Sequence, residues 1–157
     1  MRIVYRLLFA LHLFVGIGAM AGGLAAITNP VAPLGISVET LKNSPFSNFL
    51  IPGIILFTII GIGNVFSAIM FGLKLKLQGY LSSIFSFALV IWIIVQCIML
   101  RSIMFLHVLF LTIGLIQAVL SMIIIFKQGL FPAKLLINLF KKISKVSHSI
   151  YKFPTKI

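Results

Sequence analysis

The sequence is almost without acid. Its 157 residues include no Asp and a single Glu, Glu39, against thirteen Lys and Arg. Cysteine is nearly as scarce, with Cys97 alone, and only 9% of the residues are charged, where a soluble domain carries about 25%. Each shortage excludes a class. One thiol cannot pair within the chain, so a disulfide-stapled secreted module and a quinone-linked thiol oxidoreductase are both excluded for a single subunit. One carboxylate and three scattered His cannot supply the clustered ligands of a zinc or di-iron site, so neither a metal nor a cofactor is expected. With 61% apolar residues and a mean hydropathy of +1.24, the chain fits neither a soluble globular domain nor a disordered one.

What the sequence does have is four long apolar runs, at about 7–27, 49–71, 80–100 and 103–126, none containing Asp, Glu, Lys or Arg. A hydrocarbon core about 30 Å thick needs roughly 20 such residues. In lipid, a lone segment satisfies its own backbone only as a helix. The first run follows MRIVYR and resembles a signal peptide in outline, but its length of about 21 residues exceeds the usual 7–15 of such a segment. The expected fold is therefore all-α: an integral membrane four-helix up-down bundle over 1–127, with a C-terminal amphipathic basic helix in a cytoplasmic tail over 128–157.

Positive charge sets the orientation. Arg2, Arg6, Lys74, Lys76 and seven lysines from Lys127 onward fall on one side, and Lys42 and Arg101 on the other. That asymmetry places both termini in the cytoplasm. Leu100-Arg101-Ser102 is a tight hairpin. The one long loop, from Thr28 to Asn48, holds Pro30, Pro33, Gly35 and Pro45 and reads as a turn-rich outer cap. Within it Ser37 is placed to cap a short turn, and Asn48 to cap the second helix. Beyond Gly129, Leu136, Leu139, Ile143, Val146 and Ile150 recur at helical spacing. Opposite them lies a basic face that includes Lys134, Lys141, Lys142, Lys145 and Lys152. Such a helix lies on the anionic lipid of the inner leaflet. Topology accounts for most of the +12 charge, so nucleic acid is not an expected partner.

Inside lipid, helices associate by close packing more than by hydrophobicity. Gly18 and Gly22 form one small-residue face and Gly63 and Ser67 another; both are expected at helix contacts, within one chain or in a homo-oligomer. Counting inward from the charged ends puts His12, Asn64 and Gln117 at one depth, as interhelical glue or as the lining of a small polar cavity. Gln96 and His107 form a second polar pair near Arg101, with Cys97 beside them. Serine hydrolysis needs a Ser, a His base and usually an acid, and no span offers that grouping. There is no phosphate-binding glycine loop, no charged ring or voltage-sensing Arg series, and no internal repeat of the transporter kind.

From Leu11 to Asn64, LHLFVGIGAMAGGLAAITNP followed by LKNSPFSNFLIPGIILFTIIGIGN resembles a group of small four-span bacterial integral membrane proteins with no assigned activity. Ser44-Pro45-Phe46 and Pro52-Gly53 carry most of the likeness. It implies four spans and no mechanism. A looser likeness to DoxX-type four-helix proteins rests on architecture alone, which hosts many functions. The expectation is a non-catalytic accessory, scaffold or membrane-stress protein that binds lipid or a membrane-protein partner. The alternative is a transporter or small-molecule-binding protein with a polar cavity between helices.

Overall fold

The computed structural model describes residues 2–75, 77–129 and 138, so the amphipathic tail helix and its lysines lie outside the described residues. Four long helices dominate: α1 (Arg2–Thr28), α2 (Leu50–Gly72), α3 (Gln78–Leu100) and α4 (Phe105–Lys127), each long and apolar enough to cross a membrane. No strand occurs among the described residues. The four helices match the apolar runs to within two residues, except that α1 starts at Arg2 and carries Arg2 and Arg6 in its first turns. Only about a third of each apolar stretch is buried inside the chain. Ile3, Ile17, Ile91, Ile98 and Val119 are among the many large apolar side chains left more than half exposed. An apolar surface that wide is stable against hydrocarbon, not water.

By its internal contacts the chain divides into Met1–Met122 and Ile123–Ile157. In the second unit, α4 closes at Lys127, and the Gln128 and Gly129 amides donate to the Ile124 and Phe126 carbonyls before Gly129 adopts φ +59°. The left-handed value is one that glycine adopts without steric cost.

In the first unit α1 packs along the whole of α2. Gly16, Gly23, Gly53 and Gly61 make this possible. A Cβ on Gly23 would lie 2.7 Å from the Phe57 amide nitrogen, and one on Gly16 would lie 2.9 Å from that of Val65. The middle of α2, Leu56–Ile62, is wound as a π-helix. Bonds from i to i+5 turn the chain more slowly than α-helical ones. Gly53, Phe57, Gly61 and Val65, spaced by four, therefore stay aligned on α1 where an α-helix would rotate them away.

One end holds Arg2, Arg6, Lys74 and Gln78; we call it the charged end. The other, the loop end, gathers Ala26, Leu41, Phe49 and Met99 in a small core. The 29–49 loop is ordered by its own bonds. Asn29 exchanges hydrogen bonds with the backbone of Ala32, and the Phe49 amide reaches back to the Pro30 carbonyl at 2.9 Å. Ser37 Oγ accepts from the Glu39 amide at the head of a short 3-10 turn, Val38–Leu41. Asn48 Oδ1 accepts from the Leu50 amide at 3.0 Å, one residue ahead of the cap position of α2, which Phe49 occupies without a side-chain bond. Arg101, at φ 45°, makes the hairpin after α3.

Candidate functional site

The polar side chains of α1, α2 and α3 meet in a fully buried relay. His12 Nδ1 lies 2.7 Å from Asn64 Oδ1, and His12 Nε2 lies 2.7 Å from Ser82 Oγ. Asn64 Nδ2 donates to the Ile60 carbonyl at 2.8 Å, which leaves its Oδ1 facing the ring as an acceptor. The network therefore assigns the proton to His12 Nδ1, and Ser82 donates its hydroxyl hydrogen to Nε2. Ser86 Oγ in turn donates to the Ser82 carbonyl. The His12 ring stacks on Phe71, with centroids 6.0 Å apart. Each of His12, Asn64 and Ser82 is 0% exposed.

No single span contains a serine–histidine grouping, yet three spans together assemble one, which corrects the expectation read span by span. The connectivity is that of a nucleophile, a base and the group that orients the base. None of the three residues lines either of the cavities described below. Ser82 also sits within α3, where backbone N–H groups are used along the helix and are not gathered into an oxyanion hole. The arrangement closes a bundle by satisfying buried polar atoms.

Gln117 stays outside this network. It is 0% exposed, and neither of its amide atoms has a hydrogen-bond partner among the described residues. The layer expected to hold His12, Asn64 and Gln117 thus joins the first two with Ser82. Ser67 is buried and its hydroxyl is likewise unpartnered. Gly63 meets the side chain of Phe85 on α3.

Space exists elsewhere. A cavity of about 440 Å³ opens at the loop end between all four helices. Its walls are apolar, with Val15, Leu56, Ile60, Leu89, Ile93 and Phe110 prominent, and Pro33, Leu34 and Ile36 of the loop cover it. Gln96 and His107 are its polar exceptions. The Met104 amide donates to His107 Nδ1 at 3.0 Å, so the proton sits on Nε2. Gly18 and Gly22 also line this cavity. A Cβ on Gly18 would find Phe110 of α4 at 3.4 Å and one on Gly22 would find Leu56 of α2 at 3.5 Å, ordinary contact distances that do not require glycine. Gly16 and Gly23, on a neighbouring stripe of α1, make the close approach. Among the described residues no group of three metal-ligating side chains occurs. Comparison with known protein families, curated proteins and solved structures finds no match to this chain.

Proposed function

We propose that this chain is a small non-catalytic protein of a bacterial inner membrane, an up-down four-helix bundle with both termini in the cytoplasm, that binds lipid as an accessory or scaffold component. The observation that carries the reading is the apolar cavity of about 440 Å³ at the loop end. Its size falls within the usual range for small-molecule sites, about 300–1,000 Å³, as does its make-up of apolar walls with a few placed polar groups. A single acyl or isoprenoid chain suits those walls, with a polar end against Gln96 and the Nε2–H of His107. The paired ring nitrogens of His12 favour the loop-end cavity over the alternative of a polar cavity between His12, Asn64 and Gln117.

The test is photocrosslinking with a diazirine-bearing long-chain fatty alcohol in phosphatidylcholine nanodiscs. Crosslinks should concentrate on cavity residues such as Leu56, Ile93 and Phe110. Gly22→Leu should fill the cavity and remove most of that labelling without lowering the melting temperature, because a Cβ there meets only Leu56, at an ordinary 3.5 Å, and the cavity lies beyond it. Labelling spread evenly over lipid-facing residues such as Ile91 and Ile98, unchanged by Gly22→Leu, refutes the reading.

A further inference from the structure

The charged end holds a second cavity, of about 740 Å³, with quite different walls. Arg2 and Arg6 of α1, Lys74 after α2, Tyr5 and Gln78 line it, over a floor that includes Phe9 and Phe71. We propose that it receives the phosphodiester headgroup of an anionic membrane lipid such as phosphatidylglycerol.

Charge is the first argument. Three cations face one space, and the sequence's only acidic side chain, Glu39, lies in the loop-end turn, so no carboxylate neutralises them. Guanidinium groups bind phosphate oxygens in pairs, and Lys adds a point charge. Arg2 and Gln78, the first residues of α1 and α3, both line the cavity, and a helix start carries partial positive charge.

The second argument is Gln78. It is only 7% exposed, and its Oε1 is buried without a hydrogen-bond partner among the described residues. A buried acceptor of this kind requires a donor. A glycerol headgroup brings hydroxyl donors on the same molecule as the phosphate.

The third argument is Lys74. It sits at φ 54°, in the left-handed region that favours glycine. The Leu75 amide reaches the Met70 carbonyl and the Lys74 amide that of Phe71, both at 3.2 Å, the bond pair with which glycine commonly ends a helix. A lysine holds the glycine position and lines the cavity.

The proposal rests on the membrane-spanning reading but not on the loop-end cavity, and its test uses other variants and another probe. Full-length protein in nanodiscs of mixed phosphatidylglycerol and phosphatidylcholine is released into native mass spectrometry, and retained lipids are counted. Wild type should retain phosphatidylglycerol preferentially. Replacing Arg2, Arg6 and Lys74 together by Gln should cut that preference about tenfold or more, given the roughly 1 kcal/mol that each interfacial cation adds. The charge-conserving set Arg2→Lys, Arg6→Lys and Lys74→Arg should keep most of it, and so should a control with Lys141 and Lys142 replaced by Gln in the tail. An unchanged preference in the triple Gln variant overturns the proposal. Loss only when the tail lysines are replaced overturns it too. Displacement of the retained lipid by millimolar inorganic phosphate assigns the site to soluble phosphate and overturns the lipid source.

Discussion

At the scale of single residues, His12 is the most consequential side chain in the protein. It is the sole group bonded to both Asn64 and Ser82, so its loss strands a buried acceptor and a buried hydroxyl together. Stranding a buried polar group costs about 1–3 kcal/mol in general. Interhelical bonds in membranes measure lower, about 0.6 kcal/mol on average, because the separated helices find other partners. His12→Leu breaks two such bonds and is expected to destabilise by about 1–2 kcal/mol in a detergent melt, while Ser82→Ala, which breaks one and leaves no donor stranded, should cost less than half as much. A fluorophosphonate serine probe should leave Ser82 unlabelled in folded protein. Labelling that disappears in both Ser82→Ala and His12→Leu would instead give the relay a nucleophile's role. Counting residues from the charged ends places His12 and Asn64 at one depth. It carries no angular information, so nothing in the spacing singles out Ser82 over Ser83 or Ser86 as the third partner.

At the scale of elements, the contact between α1 and α2 holds the first unit together, and backbone proximity is what it depends on. A Cβ on Gly23 would lie 2.7 Å from the Phe57 amide nitrogen and Cβ and 2.8 Å from the Gly53 carbonyl oxygen. Those are backbone or near-backbone atoms that cannot swing aside. Gly23→Leu should therefore force the helices apart and lower stability by at least about 1–3 kcal/mol, as overpacking does in close-packed cores. Gly22→Leu, one position away, should leave melting unchanged. Equal loss in the two variants would show that the assignment of stripes is wrong. The four helices themselves were legible because length and apolarity are linear properties of the chain. The facing stripe was not. α1 carries small residues on two stripes, Gly18 with Gly22 and Gly16 with Gly23, and the choice between them depends on how the helix is rotated against its neighbour. The π stretch at Leu56–Ile62 has no signature of its own in an unbroken run of Leu, Phe, Thr, Ile and Gly, yet it sets which residues of α2 face α1.

At the scale of the whole molecule, the two ends of the first unit have opposite chemistry. The loop end offers an apolar cavity beneath a cap of Pro33, Leu34 and Ile36; the charged end offers three cations around Gln78. The lysine and arginine bias that orients multi-span proteins acts through residues close to the span ends. Here Arg2, Arg6 and Lys74 gather at one end of the first unit. If that bias governs insertion, the cation-lined cavity faces the cytoplasmic leaflet, where anionic lipid gives a negative surface potential, and the apolar cavity opens toward the opposite leaflet. Cysteine accessibility decides it. In a Cys97→Ser background, Ser44→Cys in the 29–49 loop should react with a membrane-impermeant maleimide in bacterial cells whose outer membrane alone has been permeabilised. Ser149→Cys in the tail should react only after the inner membrane is opened as well. The reverse pattern would place the cations outside and detach the lysine bias from the topology. Reaction of both sites before the inner membrane is opened would mean an even number of crossings between them, where α2, α3 and α4 supply three.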